Sequence, residues 1–128
     1  MTHEKPQTTI VPGPLVTAAF AAGGSFLETP EYRVGMARRE GPGDAEVHDV
    51  DTDIFYVFEG RANLVSGGEM VEPHTVGKGE HRASSTRGGE ARTVAKGDII
   101  VIPRGVPHWF NEVNEAPFIY LVVKSAKL

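Results

Sequence analysis

The 128-residue chain contains no cysteine. That excludes disulfide bridges, thiolate metal sites and a cysteine nucleophile, and it agrees with a reducing, cytoplasmic setting. No apolar run is long enough to cross a bilayer, and the uncharged stretch 6–27 is broken by Pro6, Pro12 and Pro14. No membrane partner is therefore expected. "LVTAAFAAGG" (15–24) has a faint signal-peptide character, but Glu4 beside Lys5 weakens the positive leader such a segment needs. There is no basic run either. The net charge is −4, from 13 basic and 17 acidic residues, and the arginines of "RVGMARR" (33–39) are followed at once by the acids of 40–53. A phosphate-neutralising surface, and with it a nucleic-acid partner, is not expected.

What the chain does have is punctuation. Nine prolines and 15 glycines argue for short strands and turns rather than long helices. Residues 1–13 read as a flexible polar tail, and residues 14–128 as one domain. "PLVTAAFAA" (14–22) reads as a short helix with Pro14 in its first turn and Gly23–Gly24 as its stop. Strand signals follow at 25–28 and 31–39, where Tyr32, Val34 and Met36 alternate with polar or small residues. Glu59–Gly60 reads as a tight hairpin turn between 53–58 and 61–65, and "RGG" (87–89) as another hairpin. Residues 74–83 show no clear period. "KGD" (96–98) is a turn before "IIVI" (99–102), "PRGVP" (103–107) must be loop, and "FIYLVVK" (118–124) closes the chain. About eight short strands make a sandwich or small barrel. Residues 54–58 and 99–102 are apolar on both faces, so one face must be covered by a second layer or by a partner subunit; a homodimer is expected.

The polar residues that stand out lie in "EVHDVDTDIFYVFEG" (46–60). Glu46 and His48 are two apart and share a face of an extended strand. Asp53 is an odd five residues on. To join them, the chain must turn or bulge between His48 and Asp53. His108 follows the "PRGVP" loop and shares a face with Phe110. Imidazole with carboxylate oxygen suits a first-row metal with open positions. Taken singly, each residue has a plainer reading: a hydrogen-bonded structural histidine, or acids solvated ahead of a strand.

Together these residues resemble the two sequence motifs of the cupin family. Against the first motif, G-x5-H-x-H-x3–4-E-x6-G, Glu46 stands at the first histidine, His48 at the second, Asp53 at the glutamate and Gly60 at the last glycine; Glu40 stands where the leading glycine belongs, with Gly41 one place off. Against the second, G-x5-P-x-G-x2-H-x3-N, Gly97, Pro103, Gly105 and His108 fall in register, Glu112 takes the last position and Asn111 lies one short. The resemblance implies an all-β double-stranded β-helix (a small jelly-roll barrel), here with a short N-terminal helix, and often a homodimer. It implies a divalent transition metal on His48, Asp53 and His108, with Glu46 as a fourth ligand or a catalytic base. The extra carboxylate favours iron(II) or manganese(II), with zinc or nickel as alternatives. The 36 residues between Gly60 and Gly97 exceed the family minimum and are expected to hold an extra hairpin and a long loop.

Two functions follow. One is a metal-dependent enzyme of dioxygenase, isomerase, lyase or cyclase chemistry on a small organic substrate in the barrel. The other is a non-catalytic small-molecule binding or sensor protein, with or without metal. His74, Glu80 and His81 could line a lid, but a solvated loop is the plainer reading. Trp109, Tyr56 and Tyr120 read as packing, and Arg33, Arg38 and Arg39 as solvated surface.

Overall fold

Glycine and proline turns divide the chain into one short helix and eleven strands in the computed structural model, which describes residues 5–128. The helix α1 (Gly13–Ala18) is shorter than expected and buries no residue. Pro14 lies in its first turn, and the turns after it end where the Gly23 amide donates to the Ala19 carbonyl, with Gly23 at φ +73°. The strands are β1 (Gly24–Glu28), β2 (Tyr32–Arg39), β3 (Ala45–His48), β4 (Thr52–Ser66), β5 (Glu69–Met70) and β6 (His74–Gly77). They continue with β7 (Glu80–Ala83), β8 (Thr86–Arg87), β9 (Glu90–Ala95), β10 (Ile99–Ile102) and β11 (His108–Ser125). The "PRGVP" segment is loop, as its prolines require.

Two long strands organise the fold. The first half of β4 pairs with β10 and with the second half of β11, which also carries β2 and then β1. The second half of β4 pairs with β9 and with the first half of β11, beside which lie β3, β7 and β6. The result is two facing sheets sharing β4 and β11: the double-stranded β-helix. Its core is the inner row of both, including Phe55, Val57 and Ile100 from one and Ala62, Leu64 and Phe110 from the other.

Two turn expectations need correction. Glu59–Gly60 is not a hairpin; β4 runs through it. Gly60, at φ +89°, marks a bend, because a glycine at positive φ serves a strand kink as well as a turn. The "KGD" turn clamps that bend, with the Lys96 amide on the Gly60 carbonyl and the Gly97 amide on the Val57 carbonyl. "RGG" is not a hairpin tip either. Gly88–Gly89 faces Gly67–Gly68, and beyond them β8 pairs with β5, so the hairpin continues past the glycines. Residues 74–83 form an extra hairpin of the kind expected between Gly60 and Gly97, not a solvated loop: β6 and β7 pair and extend the sheet beyond β3.

The doubly apolar strands resolve into two faces. Phe55, Val57, Ile100 and Ile102 point inward, while Ile99 and Val101 are exposed on the outer face beside Tyr56. Trp109 is half-buried and lies outside the core; its indole N–H donates to the Gly43 carbonyl at 2.8 Å. Tyr120 is packing, as expected, with its hydroxyl accepting from Arg39 Nε at 3.0 Å. Burial pushes the Tyr120 phenol up, against the Arg39 charge beside it.

Candidate metal centre

The two sheets meet at one end of the barrel, and each delivers part of a polar cluster. β3 ends at His48, and the chain leaves the strand over residues 49–51 before β4 begins at Thr52. The Asp49 amide donates to the Gly79 carbonyl within that break. This is the bend the odd spacing demanded. It lets Asp53 enter from the opposite sheet and meet His48, with Oδ2 3.1 Å from Nε2. His108 opens β11 directly across from Glu46, and its Nε2 lies 3.4 Å from the same Asp53 oxygen. Glu46 reaches to 4.0 Å from His108 Nε2 and pairs with Arg82 at 3.3 Å. The donor atoms of Glu46, His48 and His108 all lie within 4.8 Å of one another.

Histidine orientation is set from behind. His108 Nδ1 donates to the Val106 carbonyl at 3.1 Å, which turns its Nε2 lone pair inward. His48 Nδ1 contacts the Glu80 carboxylate, which fixes that ring in the same sense. His108 Nε2 and Asp53 Oδ2 are buried and, among the described residues, have no hydrogen-bond partner. Two unsatisfied buried acceptors facing each other are costly unless a cation completes them.

The spacing fits one. Donors about 2.1 Å from a common ion are about 3.0 Å apart at a right angle and about 3.4 Å apart at the tetrahedral angle. The Asp53 contacts, at 3.1 and 3.4 Å, fall in that range, and Glu46 lies slightly outside it. The Asp53–His48 and Asp53–His108 spacings thus suit a hard or borderline divalent ion, and Glu46, within 4.8 Å of the two imidazoles, offers a carboxylate from the other side.

Charge in the cluster is tightly coupled. Burial pushes the Asp53 carboxyl up, but His108, His48 and Lys124 outweigh it and hold the group well below the usual carboxylate range. Burial pushes the His48 ring down, and Lys124 adds to that. The Asp53 and Glu80 carboxylates prevail and hold the ring above its ordinary value. Above the cluster opens a cleft of about 370 Å³, walled in part by Phe55, Tyr120 and Val122 and bordered by Glu46, His48 and Lys124.

Lys124 did not emerge from the sequence as a site residue, and Glu80 emerged only as a lid candidate whose plainer reading is a solvated loop. Glu80 sits in the stretch without a period, and only its pairing opposite His48 reveals it. Lys124 had a signal. It continues the inward alternation of Tyr120 and Val122, and a charge in such a row is out of place unless it has a partner. Of the other candidates, His81 bonds Asp49 at 2.8 Å and Thr75 at 3.0 Å near the cleft mouth. His74 is exposed on β6. Arg33 borders the cleft and pairs with Asp51 at 2.7 Å, while Arg38 bonds Glu40 and the Phe20 carbonyl.

The family model described as Cupin matches residues 36–127. Solved structures with the same fold include KdgF from Halomonas sp., at 16% identity and a TM-score of 0.58 over 81% of this chain and 76% of that one. A protein from Bacillus halodurans matches at 17% identity and a TM-score of 0.62, over 98% and 86%. A cupin with a double-stranded β-helix from Methanocaldococcus jannaschii matches at 12% identity and a TM-score of 0.55, over 81% and 78%. No functionally curated protein matches the sequence. No helix among the described residues is long and apolar enough to cross a membrane.

Proposed function

Since the chain belongs to the cupin family, we propose that it is a metal-dependent enzyme acting on a small organic molecule held in the cleft between its two sheets. The observation that carries this is the convergence of Asp53 Oδ2 and His108 Nε2, both buried and, among the described residues, without hydrogen-bond partners, on His48, which borders the open cleft.

His48, His108 and Asp53 would hold the ion, and Glu46 would be a fourth ligand or the base. Two imidazoles with one or two carboxylates and open positions favour iron(II) or manganese(II) over zinc or nickel. A divalent ion there supplies Lewis-acid polarisation of a substrate oxygen, and iron adds redox chemistry. The protein's own groups do the rest. Glu80 and the Val106 carbonyl keep both imidazoles in the ligating tautomer. Phe55 and Val122 give the cleft an apolar wall that limits water. Glu46 is half-buried at the cleft and bordered by Arg82, which suits a base that takes a proton from carbon beside a substrate carbonyl. That role favours isomerase or lyase chemistry within the wider range the fold supports. The cysteine-free composition supports a cytoplasmic setting.

A second reading has its own observation. Lys124 Nζ lies 3.1 Å from His48 Nε2 and 3.2 Å from Asp53 Oδ1, so an ammonium already neutralises the cluster. On that reading the protein binds a small molecule without metal. Metal analysis of the purified protein beside His48→Ala and His108→Ala separates the two. Stoichiometric metal in the parent, lost from both variants, supports the enzyme. Metal absent from the parent, or retained in both variants, refutes it.

A further inference from the structure

We propose that Lys124 competes with the metal for His48, holding the site closed by charge when metal is absent and turning into the cleft when metal binds; this rests on reading the site as a metal centre. Glu80 contacts Nδ1 of His48, so the free lone pair of that ring is on Nε2. Lys124 Nζ donates to that atom at 3.1 Å. One lone pair serves one partner, either an ammonium N–H or a metal ion. The same Nζ bonds Asp53 Oδ1, the oxygen beside the one facing His108. An ion accepting donors from His48, His108 and Asp53 would therefore lie against the Lys124 ammonium for as long as it stays in place, and like charges at contact distance in a buried site repel strongly.

The lysine has somewhere to go. Its side chain is 23% exposed, against 1% for Asp53, and it borders the open cleft. A flexible four-carbon stem can carry the ammonium outward with the charge kept. Its outward neighbour across the ladder is Arg33, which Asp51 already neutralises. Metal loading would thus expose a cation facing whatever occupies the cleft.

Calorimetric titration of chelator-stripped protein with Mn2+ tests this. Lys124→Gln, which keeps polarity but removes charge, is expected to bind at least about tenfold tighter than the parent, on the scale by which groups outside the ligand set alter metal affinity. Lys124→Arg is expected to bind no tighter than the parent. Affinity unchanged or weakened in Lys124→Gln would overturn the proposal while leaving the metal centre intact. A second measurement needs no variant. Labelling of the parent with acetic anhydride, read by mass spectrometry, should show Lys124 reacting several-fold faster once Mn2+ is added, with Lys78 and Lys96 unchanged. An unchanged or slower rate at Lys124 would overturn the proposal even if Lys124→Gln does not fold. If neither the parent nor Lys124→Gln binds Mn2+, or if His108→Ala binds as the parent does, the metal-centre reading itself fails and the proposal falls with it.

Discussion

Asp53→Asn should destabilise the metal-free protein and reshape its pH dependence. The carboxylate is 1% exposed and faces Lys124 at 3.2 Å, His48 at 3.1 Å and His108 at 3.4 Å. Removing one partner of a buried ion pair costs about 3–5 kcal/mol. Lys124 is a quarter exposed and can turn to water, so a value of about 2–3 kcal/mol is expected here. With a urea dependence of about 1–3 kcal/mol per molar, that lowers the unfolding midpoint by about 0.7–3 M. The pH dependence is more specific. Asp53 is held low, so its stabilisation is present above its unfolded value of about 4 and lost as pH falls towards its folded value. His48 is held high, so its stabilisation is present below about pH 6.5 and lost as pH rises through its folded value. Both depend on Asp53. The gap between parent and variant should therefore be widest between about pH 4 and 6.5, and narrow on either side. Urea unfolding in the presence of EDTA, followed by circular dichroism from pH 3 to about 9, measures this. Equal midpoints throughout, or a gap that does not change with pH, would refute the coupled cluster.

Gly60→Ala should cost about 3 kcal/mol or more, because φ is +89° and a Cβ there would lie 2.3 Å from the Pro117 carbonyl oxygen and 2.8 Å from Phe118 Cα; a thermal midpoint within a few degrees of the parent would contradict the bend. Glu80→Gln should weaken Mn2+ binding by about 10- to 100-fold, since it loosens the orientation of His48; calorimetry showing unchanged affinity would remove Glu80 from the site. Ile99 and Val101, 69% and 59% exposed beside Tyr56, form an apolar outer strip that suits a second copy of the chain. Light scattering at micromolar concentration should give a dimer that Val101→Glu converts to monomer, and a monomeric parent would count against that interface.

The second half of the site was readable because its glycine and proline spacing is rigid. Gly97, Pro103 and Gly105 fix a turn, a strand end and a loop, and they place His108 at the first residue of β11. The odd spacing from His48 to Asp53 was enough to locate the break between β3 and β4. Turn chemistry was less decisive. Gly60 and Gly88–Gly89 supply positive φ, and that freedom serves a kinked or bulged strand as readily as a hairpin. The residues that support the ligands were harder to read. Glu80 reaches His48 through the β3–β7 pairing, from a segment whose hairpin has no apolar alternation because β6 is exposed along its whole length. Lys124 was hidden differently: "FIYLVVK" is apolar enough to read as a strand without asking which face its final charge occupies.

The most direct test of the metal centre is anomalous diffraction from crystals of the protein soaked in Mn2+. The account predicts one strong peak within about 2.3 Å of His48 Nε2, His108 Nε2 and Asp53 Oδ2. No peak there, or a peak confined to the Asp49–His81 pair at the cleft mouth, would contradict it.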